Sequence, residues 1–149
     1  DALADCEFLI HLIKTIAKKL PNYYKEILET TSKDDFFKIL NSKSVHFNCY
    51  FIPKSKTTRA YPFTALISEF NLNKYIPIFD LTYDPDDYTN LSYTELNELF
   101  NSKKKSPFKR LAINKTQPTI TLDTLIQDGI DIDGSDVLVQ RAKIIEKNE

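Results

Sequence analysis

Apolar positions recur at helical spacing at the start of the chain. Leu3, Ile10, Ile13 and Ala17 form one stripe and Leu9, Leu12, Ile16 and Leu20 another, so the predicted helix is apolar around most of its circumference. A helix of that kind expects cover on nearly every side. Pro21 cannot donate the next backbone hydrogen bond and is expected to end it. The stretches "YYKEILE" and "SKDDFFKIL" then read as a short helical pair, with Ser32 placed as an N-cap and Asp35 as a first-turn acid.

From Ser44 the period changes. In "SVHFNCYFIP", Val45, Phe47, Cys49 and Phe51 alternate with His46, Asn48 and Tyr50, the two-residue period of a half-buried strand. "RAYPFTALI", "KYIPIFDLT", "FKRLAI" and "PTITL" are further strand candidates between polar turns. Pro62 and Pro77 suggest edges or bulges, because proline cannot donate to a ladder. "SYTELNELF" predicts an inserted helix, with Ser92 and Glu95 at capping-box spacing, and "SDVLVQRAKIIEK" a terminal helix capped by Ser135. The expected class is α+β: a long N-terminal helix and a helical pair, followed by a small SH3-like or OB-like β-barrel with inserted and C-terminal helices.

Composition narrows the choices. At 149 residues the chain fits one domain with room for a short piece of a second. Apolar residues make up 42% and the net charge is −1, which suits a globular protein. No run approaches the roughly 18 apolar residues of a membrane span. Cys6 and Cys49 are the only cysteines, beside two histidines, which does not make a zinc site and points to reduced thiols and a cytoplasmic location. With Gly129 and Gly134 as the only glycines, a phosphate-binding glycine loop is excluded.

The small net charge conceals segregation. Ser42 to Arg59 holds Lys43, Lys54, Lys56 and Arg59 without an acid, and Asn101 to Lys115 holds Lys103, Lys104, Lys105, Lys109, Arg110 and Lys115 without one. Phe79 to Glu98 is acidic throughout, with Asp80, Asp84, Asp86, Asp87, Glu95 and Glu98. Each run is accounted for by a solvated edge, and the two basic stretches also permit one basic face.

Asp1 and Asp5 stand four apart on the first turns of the predicted helix. Favourable placement at the positive end of the helix dipole, worth about 0.3–1 kcal/mol, explains them locally. A second explanation comes from a resemblance. "DALAD" resembles the last active-site motif of the bacterial exodeoxyribonuclease I family, exonucleases in which a catalytic His closely precedes a metal-binding Asp. "SVHF", "FDL", "LSYTELNELF", "SPFKRLAINK" and "DTL" follow in the family's order and approximate spacing, so the resemblance covers nearly the whole chain.

The resemblance implies that residues 1–20 are the last helix of an RNase H-like exonuclease domain. Residues 21–149 are then an SH3-like domain with flanking helices and a linker towards a C-terminal helical domain. The chain, which contains no methionine, is expected to be a middle slice of a longer bacterial protein, with the general-base His just before Asp1. It implies release of nucleotides from the 3′ end of single-stranded DNA by two Mg²⁺ ions, with Asp5 as one metal ligand, a role in DNA repair, and no activity for this slice alone. Substitute bases would be His11, expected on a buried helix, and His46. Lys109 falls at a lysine resembling a DNA-contacting position, and Lys74, Asn114, Lys115 and Lys33 are further candidates.

The implied partners are single-stranded DNA and the acidic C-terminal tail of the single-stranded-DNA-binding protein, for a monomeric enzyme. Tail binding is expected to be weak. Ile126 replaces an arginine of the family pattern, and Asp123, Asp128, Asp131, Asp133 and Asp136 crowd the region, leaving Lys43, Arg141, Lys143 and Lys147 as substitutes. The competing reading is an SH3-like protein-interaction module without nuclease function, its peptide groove built from Tyr50, Phe51, Tyr61, Phe63, Tyr75 and Tyr83.

Overall fold

A computed structural model describes residues 2–30, 32–42, 45–53, 55–66, 75–102, 105–112 and 119–148. Helix α1 (Ala2–Lys19) runs into α2 (Pro21–Glu29), and α3 (Lys33–Ser42) completes the helical lead. Pro21 both ends α1 and opens α2, where its fixed φ suits the first helical position. Five strands follow: β1 (His46–Ile52), β2 (Thr57–Ala65), β3 (Tyr75–Asp80), β4 (Phe108–Ala112) and β5 (Thr119–Thr121). Helix α4 (Tyr93–Asn101) is inserted between β3 and β4, and α5 (Leu122–Gln127) and α6 (Ser135–Asn148) close the chain.

The α+β class is as expected, and each strand candidate forms a strand. They make one antiparallel sheet in the order β4-β3-β2-β1-β5, and this sheet is not closed into a barrel. Its two faces are both covered. Val45, Phe47, Phe79, Leu81 and Ile120 pack on one side with Leu122 and Ala142, and Phe63, Ile76, Ile78 and Leu111 pack on the other beneath Phe36, Phe37 and Leu40 of α3. Consequently the start of β1 is not half-buried: His46 and Asn48, two of its three alternating polar positions, are fully buried. The His46 ring stacks on Phe63 at 5.3 Å, and its Nε2 lies 3.3 Å from the Ile39 carbonyl of α3.

The prolines sit on inner strands, against expectation, but at a place that tolerates them. The β2–β3 ladder runs only from Phe63↔Asp80 to Ala65↔Ile78. Pro62 and Pro77 bracket it. The carbonyl of Pro62 accepts from Leu81 N–H (3.0 Å) and that of Pro77 from Leu66 N–H (2.9 Å). Neither can return a hydrogen bond, so the two residues mark the ends of the ladder.

Much of the predicted acidic edge is structural. Ser92 and Glu95 form the expected capping box, and the hydrogen bonds from the Ser92 hydroxyl and backbone hold the Glu95 carboxyl below its ordinary range. Asp84 accepts from Asp86 N–H to start the 3₁₀ turn Pro85–Asp87.

Two long-range carboxyl groups tie the helical lead to the end of the sheet. Asp128, just past α5, accepts from Asn22 N–H (3.0 Å), the Asn22 amide (2.8 Å) and Tyr23 N–H (2.8 Å), and so caps α2, whose own N-cap Leu20 has no capping side chain. Partial burial alone would raise the Asp128 pKa, but those three hydrogen bonds together bring it below the ordinary value. Glu26 of α2 is buried, and its carboxyl accepts from Thr121 N–H (2.7 Å), the Thr121 hydroxyl (2.8 Å) and the Thr124 hydroxyl.

Helix α1 has no buried residue. Leu3, Phe8, Leu9, Ile10, Leu12 and Ile13 are all exposed, from 42% at Leu12 to 66% at Leu3. The helix packs mainly against α2. No helix among the described residues is long and apolar enough to cross a membrane.

Candidate nucleic-acid interface

Strand β4 sends alternate side chains to opposite faces. Phe108 and Arg110 turn one way, Arg110 lying over the Phe100 ring at 4.8 Å and donating to the Asn101 side chain at 3.1 Å. Lys109 and Leu111 turn the other way, onto the face that carries Phe63, Ile76 and Ile78. The basic stretch around β4 is therefore divided between two faces.

Lys109 is held from two sides. Its Nζ donates to Asp80 Oδ2 at 2.5 Å and lies 4.6 Å above the Tyr61 ring. Tyr61 in turn accepts at its hydroxyl from the Asn48 amide (3.0 Å). The strand register explains the meeting. Ile78 is opposite Lys109, and Asp80, two residues along β3, is its diagonal neighbour on the same face, within reach of a long side chain. The Asp80 side chain is 6% exposed and that of Lys109 41%. The site thus presents an oriented lysine, its side chain partly exposed, a group that suits phosphate contact without reading sequence.

The other predicted site residues are scattered or outside the described residues. Lys33 is on the first turn of α3, exposed, 5.8 Å over the Phe37 ring. Lys74, Asn114 and Lys115 lie outside the described residues. Asp5 is exposed on the first turn of α1. Among the described residues no three His, Cys, Asp or Glu side chains come together to hold a metal ion. A hard dication takes several oxygen ligands, so Asp5 has the right chemistry for one ligand but does not make a site alone.

His11 is on an exposed helix, contrary to the buried position expected, and His46 is sealed beneath α3, away from solvent. The aromatics considered for a peptide groove do not line one. Phe63 is fully buried, Tyr61 and Tyr83 pack against opposite core clusters, and Tyr75 is exposed. The side chains of Tyr50 and Phe51 lie outside the described residues.

Asp80 and Asn48 carried no site signal in the sequence. The cue was the alternation in "FDL" and "FKRL", which becomes informative only once β3 and β4 are known to pair.

An α+β chain with an open antiparallel sheet, helices on both faces and one oriented lysine is a class that many functions share. No protein-family model matches it, and no curated protein is recognisably similar in sequence. Solved structures are more informative: this chain has the fold of part of exonuclease I. The enzyme from Methylocaldum szegediense matches over 93% of this chain and 32% of its own, with 14% identity and a TM-score of 0.60. E. coli exonuclease I with a 5cy-dT13 oligonucleotide matches over 99% and 35%, with 18% identity and a TM-score of 0.56. An ExoI/SSB-Ct complex matches over 99% and 34%, with 19% identity and a TM-score of 0.56. The chain spans about a third of the length of these structures.

Proposed function

We propose that this chain is the strand-guiding part of an exonuclease I-type enzyme that removes nucleotides from the 3′ end of single-stranded DNA. The observation that carries the reading is the fold match across nearly the whole chain to exonuclease I, including a complex with an oligonucleotide. The exposed apolar helix α1 supports it. Residues 1–20 belong to the nuclease domain, whose sheet supplies the missing cover, and residues 21–149 form the SH3-like domain. Asp5 is one carboxylate ligand for Mg²⁺, and the chain alone is inactive because the other ligands and the general base lie elsewhere. The neighbouring E. coli structures include a zinc-bound and a metal-free form of the ExoI–ssDNA complex, which agrees with use of a divalent metal.

Lys109 contacts the backbone of the strand, with Lys33, Lys74, Asn114 and Lys115 as further contacts. In an enzyme carrying this chain, Lys109→Ala is expected to weaken oligothymidylate binding and to flatten the log–log salt dependence by somewhat under one unit. Fluorescence anisotropy over a salt series checks this, and an unchanged slope would remove Lys109 from the interface.

The tail of the single-stranded-DNA-binding protein is a second, weak partner. Arg141, the one arginine near the expected pocket, donates to the carbonyls of Leu81 (2.9 Å) and Thr82 (3.3 Å) and lies 3.8 Å from Asp84, so its charge is already answered. A labelled acidic, Phe-ended peptide is expected to bind at least tenfold more weakly than to E. coli exonuclease I, or at a different site, given the surrounding aspartates. Equal affinity in parallel titrations would refute this.

A further inference from the structure

We infer that Asp80 is a built-in competitor for Lys109: its carboxylate occupies the ammonium that a DNA phosphate needs, and so sets strand affinity below what the fold could reach. The inference rests on the strand-guiding reading of Lys109. The two ends of the pair differ in their surroundings. Asp80 is buried, and its Oδ1 is committed to Thr82 N–H (3.0 Å) and the Thr82 hydroxyl (2.6 Å), which leaves Oδ2 for Lys109. A buried carboxylate without a counter-charge is strongly unfavourable, so the pair persists when no ligand is present.

The Lys109 side chain is 41% exposed and its ammonium has three donors, so N–H groups besides the one on Asp80 remain for an arriving phosphate. That phosphate meets a lysine already neutralised, with a like charge directly behind it. Lys109 therefore attracts the strand less than a free lysine, and its share of counterion release falls short of a full charge.

Asp80→Asn tests this directly, because asparagine keeps the shape and an acceptor for Thr82 while removing the charge. The expected result is tighter oligothymidylate binding by this chain, by about fivefold at low salt for one charge at contact distance. The log–log salt slope should also steepen by a fraction of one unit, the part of a full contact that Asp80 withholds. A merely structural role would loosen binding, not tighten it. The double variant Asp80→Asn/Lys109→Gln should lose the gain.

If both the wild-type chain and Asp80→Asn leave the oligonucleotide unbound, the strand-guiding reading fails and this inference with it. If the wild type binds and Asp80→Asn binds equally or less tightly, only this inference fails. Should Asp80→Asn not fold, the wild type still decides the question. Adding oligothymidylate must shift the NMR resonances of the Lys109 ammonium and the Asp80 carboxylate as the pair loosens, and saturating DNA that leaves both unmoved overturns the proposal.

Discussion

In an enzyme that carries this chain, Asp5→Ala is expected to remove nearly all hydrolysis of single-stranded DNA while leaving the protein folded. Asp5 sits exposed on the first turn of α1, where its local contribution is the helix dipole alone, about 0.3–1 kcal/mol. Loss of that amount lowers the melting temperature by only a few degrees for a chain of this size. As a metal ligand its loss is far larger. Even residues that only orient a ligand cost about 10- to 100-fold, so removal of the ligand itself should exceed about a hundredfold. Steady-state hydrolysis beside calorimetry separates the two roles, and an Asp5→Ala enzyme with near-normal activity would leave Asp5 as a helix-dipole residue only.

The largest stability effect is expected at Glu26. Glu26→Ala strips the acceptor from Thr121 N–H and the Thr121 and Thr124 hydroxyls, all in a buried junction between α2, β5 and α5. Each buried donor left unanswered costs about 1–3 kcal/mol; the Thr121 hydroxyl keeps the Thr124 hydroxyl oxygen (2.9 Å) as an acceptor, so two donors are stranded and a total of about 2–6 kcal/mol is expected. That corresponds to a drop in melting temperature of roughly 10 °C. Glu26→Gln, which keeps one acceptor, should lose less. Thermal unfolding followed by circular dichroism measures both, and a Glu26→Ala shift below about 3 °C would show that water or a neighbour replaces the carboxyl group.

Glu26 illustrates what the sequence withheld. In "YYKEILE" it reads as one more polar residue on a surface helix, and its partners lie 95 and 98 residues away. The sequence puts Asp128 in an acidic crowd near a candidate tail pocket, yet its carboxyl is engaged in capping α2 across separations of 106 and 105 residues. A resemblance singles out Lys109, but its pairing with Asp80 is invisible in the sequence, since the two residues are 29 apart and meet only through the β3–β4 register.

The sequence by itself determined the five strands from alternation, the helices α1 to α4 and α6 from apolar spacing, and the cap at Ser92 and Glu95, because each depends on residues within a few positions of one another; it did not give the short α5. It also determined that α1 is apolar on most sides, a property of the helix alone. Only the tertiary structure decided that β1 begins buried on both faces, since alternation reports polarity and α3 supplies a second cover over His46. It alone placed the two prolines at the ends of one ladder, left the sheet open, and put Lys109 against Asp80. Those outcomes depend on which strands become neighbours, and a strand's own pattern carries no record of its partner.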